Sequence, residues 1–156
     1  MIEIEISGMA KIQIEHVVLD YNGTIAINGE LIAGVKERLE ALAHLVDVHV
    51  LTADTYGSVH EQCRDLNVSV EVIGKYAQDR EKLRFIESLT CEHCTAIGNG
   101  RNDVLMLESA ALGIGVIQGE GASTKTLIAS DVVFHSINDA LDALLHPNRL
   151  IATLRN

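Results

Sequence analysis

The stretch His16-Val-Val-Leu-Asp20-Tyr-Asn22-Gly23-Thr24 decides the fold. Three consecutive apolar residues end in an acidic residue, as is typical of a strand that is buried on both faces of a parallel sheet. Gly23 then allows a sharp turn, because glycine adopts backbone conformations that other residues avoid. The stretch therefore predicts a central strand with Asp20 at its carboxyl end.

The sequence on either side of this strand predicts an α/β domain. Residues 3–6 and 11–14 alternate isoleucine with charged or polar residues around a turn, which predicts an N-terminal β-hairpin. Downstream, short apolar segments alternate with amphipathic ones. This alternation predicts a three-layer, Rossmann-like core with a mostly parallel sheet. We expect strands at 48–51, 70–73, 95–98, 114–117 and 132–134, and helices at 35–45, 58–66, 79–89, 103–111, 123–130 and 137–145.

Length and composition limit the classes of function. The 156 residues suit a single domain, with the hairpin at 1–14 and the core at 15–156. The net charge of −10 argues against a nucleic-acid partner, because the phosphate backbone would repel it. No apolar run approaches the roughly 20 residues that span a bilayer, so we expect no membrane partner.

The three cysteines predict a cytoplasmic protein. Their number is odd, and the start of the chain predicts a strand instead of a signal peptide. The stretch Cys91-Glu-His-Cys94 could supply some of the ligands of a zinc site, but a structural zinc site needs four ligands. No second pair of ligands lies at matching spacing, so ordinary reduced thiols are the simpler interpretation.

The residues that follow the predicted strands carry the functional information, because ligands of parallel sheets bind beyond the carboxyl ends of the strands. Asp20 ends the first core strand, Thr52 and Ala53 follow the second, and Asn99 follows the strand at 95–98. An aspartate can attack phosphorus and form an acyl phosphate. A hydroxyl group, backbone N–H groups and a lysine can hold and neutralise a phosphoryl group. These residues therefore predict a phosphoryl-handling site.

Four motifs together resemble the haloacid dehalogenase (HAD) superfamily. They are Asp20-x-Asn22-Gly-Thr, Thr52, Lys82 and Gly98-Asn-Gly-Arg-Asn-Asp103, and they stand in the order and spacing of that superfamily. The fourth motif is especially similar to the soluble relatives of the P-type ATPase phosphorylation domain. The similarity spans roughly residues 17–103, and the alternation of strands and helices continues beyond it.

The resemblance implies a role for each matching residue. Asp20 would be the nucleophile and, with Asn22, Thr52 and Lys82, would form the catalytic set. Lys75 is the competing candidate for the role of Lys82. The resemblance also implies a Mg²⁺ cofactor. The implied magnesium ligands are Asp20, the Asn22 carbonyl, Asn99 and Asp103, and the implied substrate-binding residues are Gly23, Thr24, Ala53 and Asn102.

Two asparagines depart from the superfamily's pattern. Phosphatases of the superfamily usually have aspartate at the positions of Asn22 and Asn99. An asparagine cannot shuttle a proton, and acid–base help is worth about 10²–10⁴-fold in rate. Because Asn22 replaces this acid–base group, we expect slow turnover of substrate. At Asn99 a neutral oxygen replaces an anionic one, so we expect weaker Mg²⁺ binding.

The spacing of the motifs leaves no room for a cap domain. Twenty-nine residues separate Asn22 from Thr52, and another 29 separate Thr52 from Lys82. A predicted helix, or a helix and a strand, fills each interval. The site should therefore be open to a large substrate or covered by another subunit, and we expect a homo-oligomer.

Two functions remain open from the sequence. The first is a Mg²⁺-dependent phosphatase that acts through an aspartyl phosphate at Asp20. The second is a catalytically weakened module that binds a phosphorylated small molecule or a phosphoprotein. A receiver-like signalling domain is disfavoured, because that fold carries its phosphorylated aspartate on the third strand and an acidic pair after the first.

Overall fold

A computed structural model of the protein describes residues 1–8, 10–54 and 57–155. In chain order its elements are β1 (Ile2–Ile4), β2 (Ile12–Ile14), β3 (His16–Asp20), β4 (Ala26–Ile27), β5 (Glu30–Leu31), α1 (Val35–Ala43), β6 (Asp47–Thr52), α2 (Ser58–Gln62), β7 (Ser69–Val72), α3 (Gln78–Ser88), β8 (Cys94–Gly98), α4 (Val104–Ser109), β9 (Leu112–Val116), α5 (Thr124–Ala129), β10 (Val132–Phe134), α6 (Ile137–Leu145) and α7 (Asn148–Leu154). Short 3₁₀ turns precede β8 (Cys91–His93) and α4 (Arg101–Asp103).

The described residues form a six-stranded parallel sheet in the order β10-β9-β8-β3-β6-β7. The central strand is β3, and its side chains alternate between two apolar layers. Val17 and Leu19 belong to the larger layer, which contains α1 and α6, whereas Val18 faces the smaller layer with α3 and α4. The predicted three-layer α/β fold is therefore confirmed.

The N-terminal hairpin is also confirmed. Strands β1 and β2 pair antiparallel, with Ile2 opposite Ile14 and Ile4 opposite Ile12. All but Ile12 of these four isoleucines are buried in the larger apolar layer. The predicted turn between the two strands includes residue 9, which lies outside the described residues. One face of the hairpin is thus part of the core, because its alternating isoleucines cover the sheet assembly.

Some predicted boundaries differ from the structure. Helix α2 ends at Gln62 and not at residue 66, because a turn that Leu66 N closes on Cys63 O (3.0 Å) returns Leu66 to the core. Two elements were not predicted at all. One is α7, which follows Pro147. The other is the hairpin β4–β5, which turns through Asn28 and Gly29 with φ of 53° and 80°. Asn-Gly is the strongest short hairpin signal, so the sequence did contain this information.

In the described residues, neither interval between the motifs holds a cap domain, as predicted. The first holds the small hairpin β4–β5, α1 and most of β6, and the second holds α2 and β7. No helix in the described part of the chain has the length and apolarity that a membrane crossing requires.

Candidate active site

The strand register brings the predicted motifs together. In the sheet, Asp20 lies opposite Leu51 of β6, and Leu19 lies opposite Ile97 of β8. Because all three strands are parallel, their carboxyl ends meet at one edge of the sheet. Asp20, Thr52 and Asn99 therefore converge there, although 79 positions separate the first from the last.

Lys82 lies between two carboxylates. Its Nζ is 2.5 Å from Asp20 Oδ1 and 2.6 Å from Asp103 Oδ1. All three side chains are buried, and the Lys82 residue is only 1% exposed. The long lysine side chain reaches back from the second turn of α3 to the edge of the sheet. Lys75, the competing candidate, is exposed on the loop before α3. The structure thus brings Lys82, and not Lys75, to Asp20.

Burial and charge set the protonation of this group. Burial alone would lower the pKa of Lys82, but Asp20 and Asp103 outweigh it and hold the pKa above its ordinary value. Burial raises the pKa of Asp103 to about 6, and the Asp20 charge adds to the rise, while Lys82 and the Gly100 N–H oppose it. The raised pKa keeps the Lys82 ammonium charged beside the Asp20 and Asp103 side chains.

The loop after β3 is fitted closely around Asp20. Thr24 Oγ1 donates to Asp20 Oδ2 at 3.0 Å and approaches Asn99 Oδ1 at 3.2 Å. Gly23 has a φ of 82°, and a Cβ there would lie 2.3 Å from Asn99 Nδ2. Only glycine meets both demands. Lys82 and Thr24 thus hold the two carboxylate oxygens of Asp20 in one orientation.

Asn99 is buried and held by both ends of its amide. Its Nδ2 donates to Gly121 O at 2.9 Å, while its Oδ1 faces Thr24. The Gly121 carbonyl can only accept a hydrogen bond, so it selects the amide nitrogen. The backbone N–H of Asn99 donates to Asp103 Oδ2 at 3.0 Å, and that of Gly100 does so at 2.8 Å.

Asn22 has a different environment. Its side chain is exposed and makes no hydrogen bond with the described residues, and its backbone bridges to Ala26. Thr52 is 3% exposed, and its Oγ1 accepts from Asp54 N at 3.0 Å. That contact leaves the hydroxyl hydrogen of Thr52 available to a ligand.

A cavity of about 190 Å³ opens at this edge of the sheet. Seven of the predicted site residues line it together with three others. The seven are Asp20, Asn22, Thr52, Ala53, Lys82, Asn99 and Asn102. Gly23, Thr24 and Asp103 are buried behind the wall. Their predicted functional roles remain predictions, but the structure places them as supports of the wall.

Three of the four predicted magnesium ligands suit the ion. Mg²⁺ takes oxygen ligands, commonly one or two carboxylates, and keeps several waters. Asp20, Asn22 and Asn99 line the cavity and offer one carboxylate and neutral oxygens, so they fit. Asp103 does not fit as a direct ligand in this arrangement, because it is fully buried and, unlike Asp20, does not line the cavity. Among the described residues there is no cluster of three His, Cys, Asp or Glu side chains that suits a metal ion.

Two glutamines of the site were not predicted. Gln78 lines the cavity, and its Oε1 accepts from Asn102 Nδ2 at 2.8 Å. Gln118 uses its Nε2 to donate to Gly23 O at 3.1 Å and to Thr24 O, while its Oε1 accepts from Ile137 N at 2.9 Å. Neither residue belongs to a motif. Gln118 lies two residues beyond the end of β9, at the same edge of the sheet, and only this position could have suggested a role for it.

The chain resembles a known protein in sequence over about half of its length. No protein-family profile matches the chain. The chain is 51% identical over 87 residues to a protein of Methanocaldococcus jannaschii named "Uncharacterized protein MJ0073", and the match covers 53% of this chain and 94% of that protein.

Solved phosphatases share the fold at low sequence identity. The 3-deoxy-D-manno-octulosonate 8-phosphate phosphatase of Moraxella catarrhalis, solved with magnesium, phosphate and a KDO molecule, superimposes with a TM-score of 0.72 at 18% identity over 90% of this chain and 92% of that chain. The cobalt-bound deoxy-D-mannose-octulosonate 8-phosphate phosphatase of Haemophilus influenzae gives a TM-score of 0.73 at 15% identity with the same coverage. The chain therefore belongs to the same family as the M. jannaschii protein, and its fold is that of the haloacid dehalogenase superfamily, as its four motifs predicted.

Proposed function

We propose that this protein is a Mg²⁺-dependent phosphatase of the HAD type that acts slowly through an aspartyl phosphate at Asp20. The observation that carries the proposal is the orientation of Asp20 at the cavity wall. Lys82 holds one of its oxygens at 2.5 Å and Thr24 holds the other at 3.0 Å. A carboxylate that is fixed in this way in the wall of a polar cavity is positioned to act as a nucleophile.

In the first step a carboxylate oxygen of Asp20 attacks the phosphorus of a phosphate monoester. The bond from phosphorus to the ester oxygen breaks, and an acyl phosphate forms on Asp20. Lys82 keeps its positive charge beside the reacting carboxylate, which reduces repulsion between Asp20 and the anionic phosphoryl group. Bound Mg²⁺ would supply further neutralisation of that charge, held by Asp20, Asn99 and the Asn22 carbonyl.

In the second step water attacks the phosphorus, and inorganic phosphate leaves while the Asp20 carboxylate is restored. Both steps move a proton. The leaving alkoxide must gain one, and the attacking water must lose one. The exposed Asn22 amide can neither give a proton to the alkoxide nor take one from the water. Solvent therefore supplies the first proton and accepts the second. This is the physical reason for slow turnover.

A catalytically weakened binding module is the second candidate. The environment of Asn99 favours it, because the amide is built into the site by its bond to Gly121 O. A site that holds an amide at this position has one anionic metal ligand fewer. Such a module would hold a phosphorylated small molecule or a phosphoprotein in the same cavity without releasing phosphate.

Hydrolysis of 4-nitrophenyl phosphate, measured with and without Mg²⁺, tests the proposal. We expect slow, magnesium-dependent release of nitrophenol by the wild type and none by Asp20→Ala. Asp65→Ala removes an exposed carboxylate elsewhere and should keep the wild-type rate. Activity that persists in Asp20→Ala would disprove the assignment of the nucleophile. An inactive wild type that still binds phosphate by calorimetry would favour the binding module.

A further inference from the structure

A second depression adjoins the cavity that contains Asp20. It has a volume of about 470 Å³, it is open to solvent, and its lining residues are Ala77, Gln78, Asp79, Arg101 and Asn102. Gln78 and Asn102 also line the first cavity. The hydrogen bond from Asn102 Nδ2 to Gln78 Oε1, at 2.8 Å, therefore lies on the boundary between the two spaces. A group that leaves the phosphoryl cavity across this boundary enters the depression.

Arg101 gives this depression an uncommitted cation. Its side chain is exposed and has no ion pair or hydrogen bond with the residues that the structure describes. The cation of the first cavity is different, because Asp20 and Asp103 both share the charge of Lys82. The guanidinium is planar and presents a fork of donors that matches a carboxylate. Arg101 can thus bind an anion without giving up an existing partner.

Asp79 limits the kind of anion that the depression accepts. Asp79 lines the same space, and no ion pair joins it to Arg101 within the described residues. One cation and one anion leave the depression without net positive charge, in a protein whose net charge is −10. A second phosphate group, with nearly two negative charges, is disfavoured there. A single carboxylate can still be held through paired, directional hydrogen bonds.

We propose that the depression is a leaving-group subsite and that Arg101 binds a carboxylate on the substrate. The substrate class is then the phosphate monoesters of hydroxy acids. This inference rests on the proposed function, because it assigns the part of the substrate that the phosphoryl cavity does not hold. The Gln78–Asn102 pair separates the two subsites, and Asp20 and Arg101 act on opposite ends of the same ester.

Two esters of similar shape and different charge test the subsite. They are 4-carboxyphenyl phosphate and 4-(methoxycarbonyl)phenyl phosphate, which differ in a charged carboxylate and its neutral methyl ester. We compare the ratio of their kcat/KM values between wild type and Arg101→Met. The comparison between proteins cancels the different leaving abilities of the two phenols. We expect the ratio to fall about three- to tenfold in the variant, mostly through a higher KM for the carboxylate, as a partly exposed charge-assisted bond allows.

Arg64→Met is the matched control, since Arg64 is an exposed arginine beyond the end of α2 and lines neither space. It should leave the ratio unchanged. An unchanged ratio in Arg101→Met, with both esters hydrolysed, overturns the subsite and leaves the proposed function standing. If neither ester is hydrolysed, the proposed function fails, and the dissociation constants of the two esters decide the subsite. A carboxylate preference that Arg101→Met removes supports it, and equal affinities overturn it.

Discussion

The two asparagines that depart from the superfamily's pattern lie in opposite environments. Asn22 is exposed at the mouth of the cavity, and its side chain has no hydrogen-bond partner among the described residues. Asn99 is 8% exposed, and its amide joins Thr24 on one side and Gly121 on the other. The amide at Asn22 can therefore be replaced without loss of structure, whereas the amide at Asn99 is part of the hydrogen-bonded framework of the site. The comparison separates a chemical departure from a structural one.

The buried side of the comparison depends most strongly on Lys82. In Lys82→Met two buried carboxylates lose their shared cation, and breaking a buried ion pair commonly costs about 3–5 kcal/mol. We expect a loss of that size in the free energy of urea unfolding. Lys75→Met removes the same charge from an exposed position and should cost less than about 0.5 kcal/mol. Similar losses in the two variants would contradict the assignment of Lys82 to the site.

The exposed side of the comparison predicts a gain of activity. Asn22→Asp places a titratable group at the cavity without breaking a side-chain bond to any residue that the structure describes. Because a positioned acid–base group is worth about 10²–10⁴-fold, we expect turnover of 4-nitrophenyl phosphate to rise about 100-fold. The unfolding free energy should stay within about 0.5 kcal/mol of the wild type. An unchanged rate would identify Asn99 and weak metal binding as the larger defect.

Asn99→Asp should behave differently at the buried position. The carboxylate cannot donate to Gly121 O, and it adds a negative charge beside Asp20. We expect a loss of about 1–3 kcal/mol in unfolding free energy in the presence of EDTA. Added Mg²⁺ should recover more stability in this variant than in the wild type, since an anionic oxygen binds the ion better. Equal stability of Asn99→Asp and Asn22→Asp in EDTA would remove the distinction between the two sites.

The smallest expected effect concerns the loop that carries Asn22. Gln118→Glu replaces the Nε2 that donates to Gly23 O and Thr24 O by an acceptor. We expect kcat to fall several-fold and the unfolding free energy to fall by about 1 kcal/mol, because Thr24 orients Asp20.

Gln62→Glu is the matched control for Gln118→Glu. Gln62 likewise donates to a carbonyl, Gly29 O, and accepts from a backbone N–H, that of Leu31, but it lies outside the cavity. It should lose a similar amount of stability and keep its kcat. A parallel loss of kcat in both variants would show that Gln118 acts through stability alone.

The sequence predicted the strand ends well and the contacts between them poorly. Asp20, Thr52 and Lys82 were recognised because each stands at a fixed place in a motif or follows an apolar run. Gln118 was not recognised, because its role depends on three partners from β3's loop and α6. The hairpin β4–β5 was not predicted, although Asn28-Gly29 marks it, because strands of two residues are too short to show an alternating pattern.

The sequence by itself determined that β3 is a buried central strand and that its parallel neighbours end in polar residues. Hydrophobic periodicity is local, so it can be read along the chain. Only the tertiary structure decided that Lys82 and not Lys75 meets Asp20. It alone also decided that Asn99 is held by Gly121, while the Asn22 side chain bonds to none of the described residues. These differences depend on burial and on partners distant in sequence. A buried polar group is stable only when hydrogen bonds satisfy it, and its partners are brought near by the folded chain.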